Sequence, residues 1–231
     1  MDRKARPLIS ITALKKVRKT IEKESTPGTT PKIIAVTKTR PIEAVEAAIK
    51  EKLFIIGENK VQEAEEKFLN NEKTREKVEL HLIGSLQSNK IKRAISLFDV
   101  IQTVDSVKLL KKINNQAEKI KKIQKVFIQI NIGYDKNKRG FNSKEVFEAC
   151  KEAKKLKNIE VKGLMTILPF GKTKKENKRL FTETKTIQEQ IEKNHIISCK
   201  ETSMGMSGDY VEALKSGATF IRIGSAFFGP R

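Results

Sequence analysis

Apolar and polar positions alternate along this chain on two length scales. Short apolar, β-branched runs recur about every 25 residues, and longer charged segments with one apolar face separate them. The runs predict strands over 33–37, 53–57, 79–84, 100–104, 126–132, 161–167, 196–200 and 220–224. The charged segments predict helices over 42–50, 60–70, 90–97, 106–123, 143–156, 174–193 and 208–216, with a further helix over 12–24 ahead of the first strand. Runs such as Ile33-Ile34-Ala35-Val36 and Phe127-Ile128-Gln129-Ile130 barely alternate, as expected of parallel strands covered on both faces.

Eight strands, each followed by a helix or a terminal turn, give the rhythm of a (β/α)8 barrel of the TIM type with an extra N-terminal helix. A doubly wound open sheet is the runner-up. It usually has fewer strands and often a glycine-rich turn after the first, and Thr37-Lys38-Thr39-Arg40-Pro41 contains no glycine. No linker or shift of composition divides the chain, so residues 1–231 are read as one domain.

Composition narrows the class without naming a function. With 38% hydrophobic and 33% charged residues the chain is neither collagen-like, disordered nor membrane-embedded. No apolar run approaches a membrane span and no leader is recognisable near the basic residues 1–7. Cys150 and Cys199 are isolated, which argues against a disulfide framework and for a reducing, cytoplasmic setting. The formal charge of +20 would suit a nucleic-acid binder, but aromatic residues make up only 6% and offer little for bases to stack on. The lysines also concentrate on predicted helices and loops, Lys108, Lys111, Lys112 and Lys119 among them, where a barrel meets solvent. No nucleic-acid or membrane partner is expected.

Candidate chemistry is sought at the C-terminal ends of the strands, where barrels of this kind carry their sites. Strand one delivers Lys38, which alternation turns toward the barrel mouth while Thr37 faces the other way. Partial desolvation there would free its amine to attack a carbonyl; the plain alternative is a solvated loop lysine. Small residues follow strands seven and eight, in Ser203-Met204-Gly205-Met206-Ser207-Gly208 and in Arg222-Ile223-Gly224-Ser225. Turns at these two strands commonly bind phosphate through exposed backbone N–H groups, although Ser207 or Asp209 capping the next helix would serve ordinary folding. Asn59 offers either an amide to a ligand or a helix cap. His81 is read as a satisfied interior group and His195 as structural. No His, Cys and carboxylate spacing suggests a metal site.

A lysine after strand one and phosphate turns after strands seven and eight together describe a pyridoxal phosphate site. The chain resembles the pyridoxal phosphate homeostasis protein family, related to the N-terminal barrel domain of alanine racemase (fold type III of pyridoxal phosphate proteins). Seven ordered stretches carry the resemblance, among them Ala35-Val36-Thr37-Lys38-Thr39, Gly57-Glu58-Asn59-Lys60-Val61-Gln62-Glu63 and His81-Leu82-Ile83-Gly84-Ser85-Leu86-Gln87-Ser88-Asn89-Lys90. Ile128-Gln129-Ile130-Asn131, Lys162-Gly163-Leu164-Met165 and the two small-residue turns complete them.

The resemblance implies that Lys38 forms an internal aldimine with pyridoxal 5′-phosphate and that Asn59 lies near its ring. It also implies that Ser207, Gly224 and Ser225 cradle the phosphate, with Met206 and Ser203 in the same loop, and that Arg222 faces the pyridine nitrogen. A charged arginine there disfavours a pyridinium and weakens the electron sink that carbanion chemistry needs. The family pattern further implies a cofactor-binding, regulatory monomer that buffers pyridoxal phosphate or delivers it to apo-enzymes, with no catalytic residues and no metal. A weak amino-acid racemase is the alternative, and a basic nucleic-acid-binding protein a more distant one. The stretch Leu168-Pro169-Phe170-Gly171 is shorter than the family's usual loop after strand six.

Overall fold

The computed structural model describes residues 8–135 and 137–230, so the basic residues 1–7 lie outside the described residues. Its strands are β1 (Lys32–Val36), β2 (Ile55–Glu58), β3 (Glu79–Leu82), β4 (Val100–Val104), β5 (Gln124–Ile130), β6 (Ile159–Thr166), β7 (Glu201–Met206) and β8 (Phe220–Ile223). Each pairs in parallel with the next, and β1 closes on β8 with Ile33 opposite Ile221 and Ala35 opposite Ile223. The sheet is therefore a closed eight-stranded parallel barrel and not an open doubly wound sheet.

The helices are α1 (Ile11–Glu24), α2 (Ile42–Lys50), α3 (Val61–Phe68), α4 (Glu72–Arg75), α5 (Ile91–Leu97), α6 (Val107–Lys119), α7 (Glu145–Lys154), α8 (Lys174–Lys193), α9 (Tyr210–Leu214) and α10 (Ser225–Phe228). Local chemistry starts several of them. Ser10 accepts from the Ala13 N–H and Ser106 from the Leu109 N–H, each satisfying a donor that the first helical turn leaves unpaired. Thr173 and Glu176 form a reciprocal capping box at the start of α8. The extra helix α1 buries Leu14 and Val17 and packs on α9 and α10, beside the closing strand.

Two cores result. One lies between barrel and helices and holds most buried aliphatic residues, such as Leu80, Ile101, Ile128, Leu164 and Ile221. The second fills the barrel with Ile34, Val36, Ile83, Val100, Phe127, Met165 and Phe220. Polar side chains share that interior. His81, Gln102, Ser203 and Arg222 are buried among these residues, a first sign that the barrel holds more than packing.

The seventh strand corrects the hydropathy reading. The apolar run 196–200 leads into the barrel, and the strand itself is the more polar Glu201–Met206. Burial explains the shift. Thr202 Oγ1 accepts from the Thr219 N–H and donates to the Gly217 carbonyl, the Thr202 N–H donates to Thr219 Oγ1, and Ser203 satisfies groups inside the barrel, so polar residues are at home there. Ser203 consequently sits within a strand and not in the loop that follows it. The short helices α4 and α10 were not expected from periodicity, being too brief to show it.

Candidate functional site

The C-terminal ends of the strands surround one cavity of about 320 Å³. Lys38, Asn59, Met206, Ser207, Arg222, Gly224 and Ser225 all line it, although they come from opposite ends of the chain. Ser203, expected in the same loop, lies beneath the cavity instead. Its Oγ accepts from Arg222 Nη1 at 2.8 Å and donates to Gln102 Oε1 at 2.7 Å. Val36, Arg40, Ile83, Ile167, Gly208, Phe228 and Gly229 complete the lining. The apolar ones among these carry no signal apart from the core pattern, and Arg40 is one charged residue among many.

Lys38 reaches the cavity as alternation requires, and the residues beside it show how that place is held. Thr37 is wholly buried and faces away from the cavity, where its Oγ1 donates to Glu58 Oε1 at 2.6 Å. Lys67 of α3 donates to the same carboxylate oxygen at 2.5 Å and to the Thr37 carbonyl at 2.9 Å. Both partners of this pair are out of solvent, with side-chain exposures of 5% for Lys67 and 0% for Glu58. Burial pushes the Glu58 carboxyl above its ordinary value, against the opposing pull of Lys67. On the other side of Lys38, Thr39 adopts a left-handed φ of 61°, uncommon for a threonine, and its N–H is held by Glu63 Oε1. Both flanks of Lys38 are thus latched to α3 or to the end of β2.

Arg222 forms part of the floor. It is only 4% exposed, and burial pulls its guanidinium down from the ordinary 12.5 to about 10, partly offset by Asp209. Its Nη2 donates to the Thr166 carbonyl at 2.7 Å, so β6, β7 and β8 all fix it. The wall beside it comes from two adjoining turns. Ser207 Oγ accepts from the Ala226 N–H, drawing the turn after β7 against the start of α10. Asp209 is at the N-cap position of α9 but makes no side-chain cap bond there; its Oδ1 accepts from the Met206 N–H at 2.6 Å and shapes the turn. Gly224 packs so closely on β1 that an added Cβ would stand 3.2 Å from Val36 Cβ. Arg40 Nη2 donates to the Gly229 and Pro230 carbonyls, holding the last described residues across the mouth.

The arrangement offers one amine, two guanidiniums, an amide and several hydroxyls, and among the described residues no carboxyl, imidazole or phenol lines the cavity. Such a lining suits an anion with a reactive carbonyl. His81 is the satisfied interior group expected, bonded at both ring nitrogens. His195 lies between α8 and β7, where its carbonyl accepts from Lys154 Nζ. Among the described residues no cluster of three His, Cys, Asp or Glu side chains could hold a metal ion, and no helix is long and apolar enough to cross a membrane.

Residues 9–231 match the family model described as the N-terminal domain of alanine racemase. The pyridoxal phosphate homeostasis protein of Synechocystis is 36% identical over 200 residues, covering 87% of this chain and 91% of that protein. Among solved structures, PipY of Synechococcus elongatus without pyridoxal phosphate superposes with a TM-score of 0.86 at 32% identity, covering 94% of this chain and 99% of that one. The same protein with pyridoxal phosphate bound gives a TM-score of 0.82 at 30% identity and the same coverage.

Proposed function

This chain belongs to the pyridoxal phosphate homeostasis proteins, within the alanine racemase N-terminal domain family, and from that premise we propose that it binds pyridoxal 5′-phosphate in the cavity at the barrel mouth. Lys38 holds the cofactor as an internal aldimine, and the protein buffers the cofactor or delivers it to apo-enzymes. The observation that carries this reading is the convergence of Lys38, Arg222 and the Ser207 and Ser225 hydroxyls on one cavity.

The residues fit the group. The cavity lies at the lower end of the range that encloses small ligands. A Cβ at Gly224 would crowd Val36 at 3.2 Å, and its absence leaves the backbone open to a phosphate between the turns that Ser207 and Ala226 tie together. Arg222, with donors only, suits an unprotonated ring nitrogen. When bound, pyridoxal phosphate supplies an aldehyde that condenses with amines and a ring that can accept electrons. The chain's own residues do the rest: Glu58 and Lys67 hold the strand end beside Lys38, the two serines and Gly224 bind the phosphate, and Arg222 limits electron withdrawal into the ring.

The lining also favours a carrier over a racemase. Racemisation needs proton-transfer groups on both faces of the substrate carbon, and Lys38 supplies one. Arg40 and Arg222 are the other titratable lining residues, and guanidiniums seldom surrender protons. The test is the visible absorption of purified protein incubated with pyridoxal phosphate. A yellow band that Lys38→Ala abolishes supports the reading, and protein that stays colourless overturns it. Sustained exchange of an amino acid's α-hydrogen with solvent, lost in Lys38→Ala, would favour the enzyme instead.

A further inference from the structure

The barrel interior carries an unbroken line of hydrogen bonds from the cavity floor to the opposite end. Arg222 Nη1 donates to Ser203 Oγ at 2.8 Å, and Ser203 Oγ donates to Gln102 Oε1 at 2.7 Å. The other end of the same amide, Gln102 Nε2, donates to His81 Nδ1 at 2.8 Å. His81 Nε2 meets Glu79 Oε1 at 2.6 Å. Arg222, Ser203, Gln102 and His81 are all buried, whereas the Glu79 side chain is 43% exposed at the start of β3.

We propose that Ser203, Gln102, His81 and Glu79 are positioning residues that hold the Arg222 guanidinium through a hydrogen-bond relay of fixed direction. The direction follows from donor chemistry. An amide nitrogen only donates, so His81 Nδ1 must accept from Gln102 and carry no proton. The remaining ring proton is then on Nε2, where the Glu79 carboxylate accepts it. A guanidinium likewise only donates, so Ser203 must accept from it and pass its own hydroxyl proton to Gln102. Every bond points away from Arg222 and the line ends on a carboxylate. Hydrogen bonds aligned in this way polarise one another, and the buried cation gains a route to negative charge without a carboxylate in contact. Packing alone does not require this order, because aliphatic residues would fill the interior without any polar group to satisfy.

The floor around the carboxylate end is mixed in charge. Lys32 of β1, Lys125 of β5, Lys162 of β6 and Glu201 of β7 interact electrostatically with Glu79 there, and Lys32 lies over the Phe220 ring that tilts against His81. The importance of Arg222 to the cofactor rests on the functional reading above, whereas the relay itself is testable without cofactor.

Two measurements on the cofactor-free protein decide it. With two histidines in the chain, long-range ¹⁵N–¹H correlation assigns each ring, and His81 is expected as the neutral Nε2–H form. A protonated Nδ1 in the wild type overturns the relay. The second measurement is solvent exchange of the Arg222 guanidinium protons, identified by their absence in Arg222→Lys. Gln102→Leu should speed that exchange by roughly tenfold or more, the scale of losing one buried bond. Gln102→Glu, which still accepts from Ser203, should keep exchange slow while drawing a second proton onto His81, a response that mere packing does not produce. Unchanged exchange in Gln102→Leu overturns the relay. Ser203→Ala removes the acceptor without adding bulk and serves should Gln102→Leu fail to fold.

With pyridoxal phosphate added, Gln102→Leu should bind roughly tenfold more weakly than wild type and Gln102→Glu within a few-fold of it. Wild-type protein that shows no visible band refutes the cofactor reading, while the exchange and tautomer results still decide the relay.

Discussion

Replacing Lys67 by methionine isolates the buried pair that holds the backbone beside Lys38. The change keeps an unbranched apolar stem and removes the ammonium, leaving the Glu58 carboxylate wholly buried with the Thr37 hydroxyl on Oε1 and Oε2 still without a partner. Breaking one side of a buried ion pair costs about 3–5 kcal/mol, because the other charge stays behind. Glu58 escapes by taking up a proton, and that route sets a ceiling. At pH 7 it costs about 1.4 kcal/mol for each of the roughly 2.5 units above the ordinary 4.5, or about 3.5 kcal/mol. Loss of the bond to the Thr37 carbonyl adds about 1 kcal/mol.

The expected destabilisation at neutral pH is therefore about 4–4.5 kcal/mol, measured by urea unfolding followed by far-ultraviolet circular dichroism. The sign with pH is also determined. A carboxyl whose folded-state pKa is raised contributes stability below its ordinary value and loses it as pH rises through the folded value. The deficit of Lys67→Met should thus shrink on acidification toward pH 4.5. The double variant Glu58→Gln with Lys67→Met removes both charges and should recover to within about 1.5 kcal/mol of wild type. Lys111→Met, at an exposed pair with Glu152, should leave the urea midpoint essentially unchanged. A Lys67→Met cost under about 1 kcal/mol at neutral pH, or one that grows on acidification, would refute this account of the latch.

Two further outcomes follow from the packing. Gly84→Ala places a Cβ 2.1 Å from the Asn59 carbonyl oxygen, a backbone atom that cannot step aside, so stability should fall by about 3 kcal/mol in urea unfolding and pyridoxal phosphate binding should weaken with the displaced Asn59. Cys150 and Cys199 are fully buried, and burial pushes the Cys150 thiol up to about 12 and the Cys199 thiol also upward. A thiol-reactive disulfide reagent should therefore leave the native protein unmodified over minutes and consume both thiols once urea unfolds it.

The barrel was legible because strands covered on both faces read as apolar runs, and seven of the eight predicted spans fall within two residues of the observed strands at both ends. β7 was not legible. Its inward Ser203 is polar because it bonds Gln102 of β4 and Arg222 of β8, so hydropathy favoured the more apolar run before it. The same blindness affected the site. Lys38 and Arg222 stand where strand ends and alternation put them, but nothing local tells that Gln102 meets Ser203, 101 positions away. A polar residue at an inward position of an apolar strand, such as Gln102 after Val100-Ile101, is the available signal, and it marks a partner without identifying it. Glu58 and Lys67 are likewise obscured among many charged residues until tertiary structure removes both from water.

Closure of β1 on β8 has a consequence for the order in which the molecule comes into being. The cavity draws Lys38 from the first strand and Arg222 from the last, and Arg40 holds a carbonyl 189 positions further along. Contacts of such separation are slow to form, because the intervening chain must be ordered before they stabilise anything. During synthesis, a chain that has emerged only through β7 lacks the floor and one wall of the cavity. The binding site is thus among the last parts of the barrel to form, and any cofactor it holds is acquired by a finished barrel.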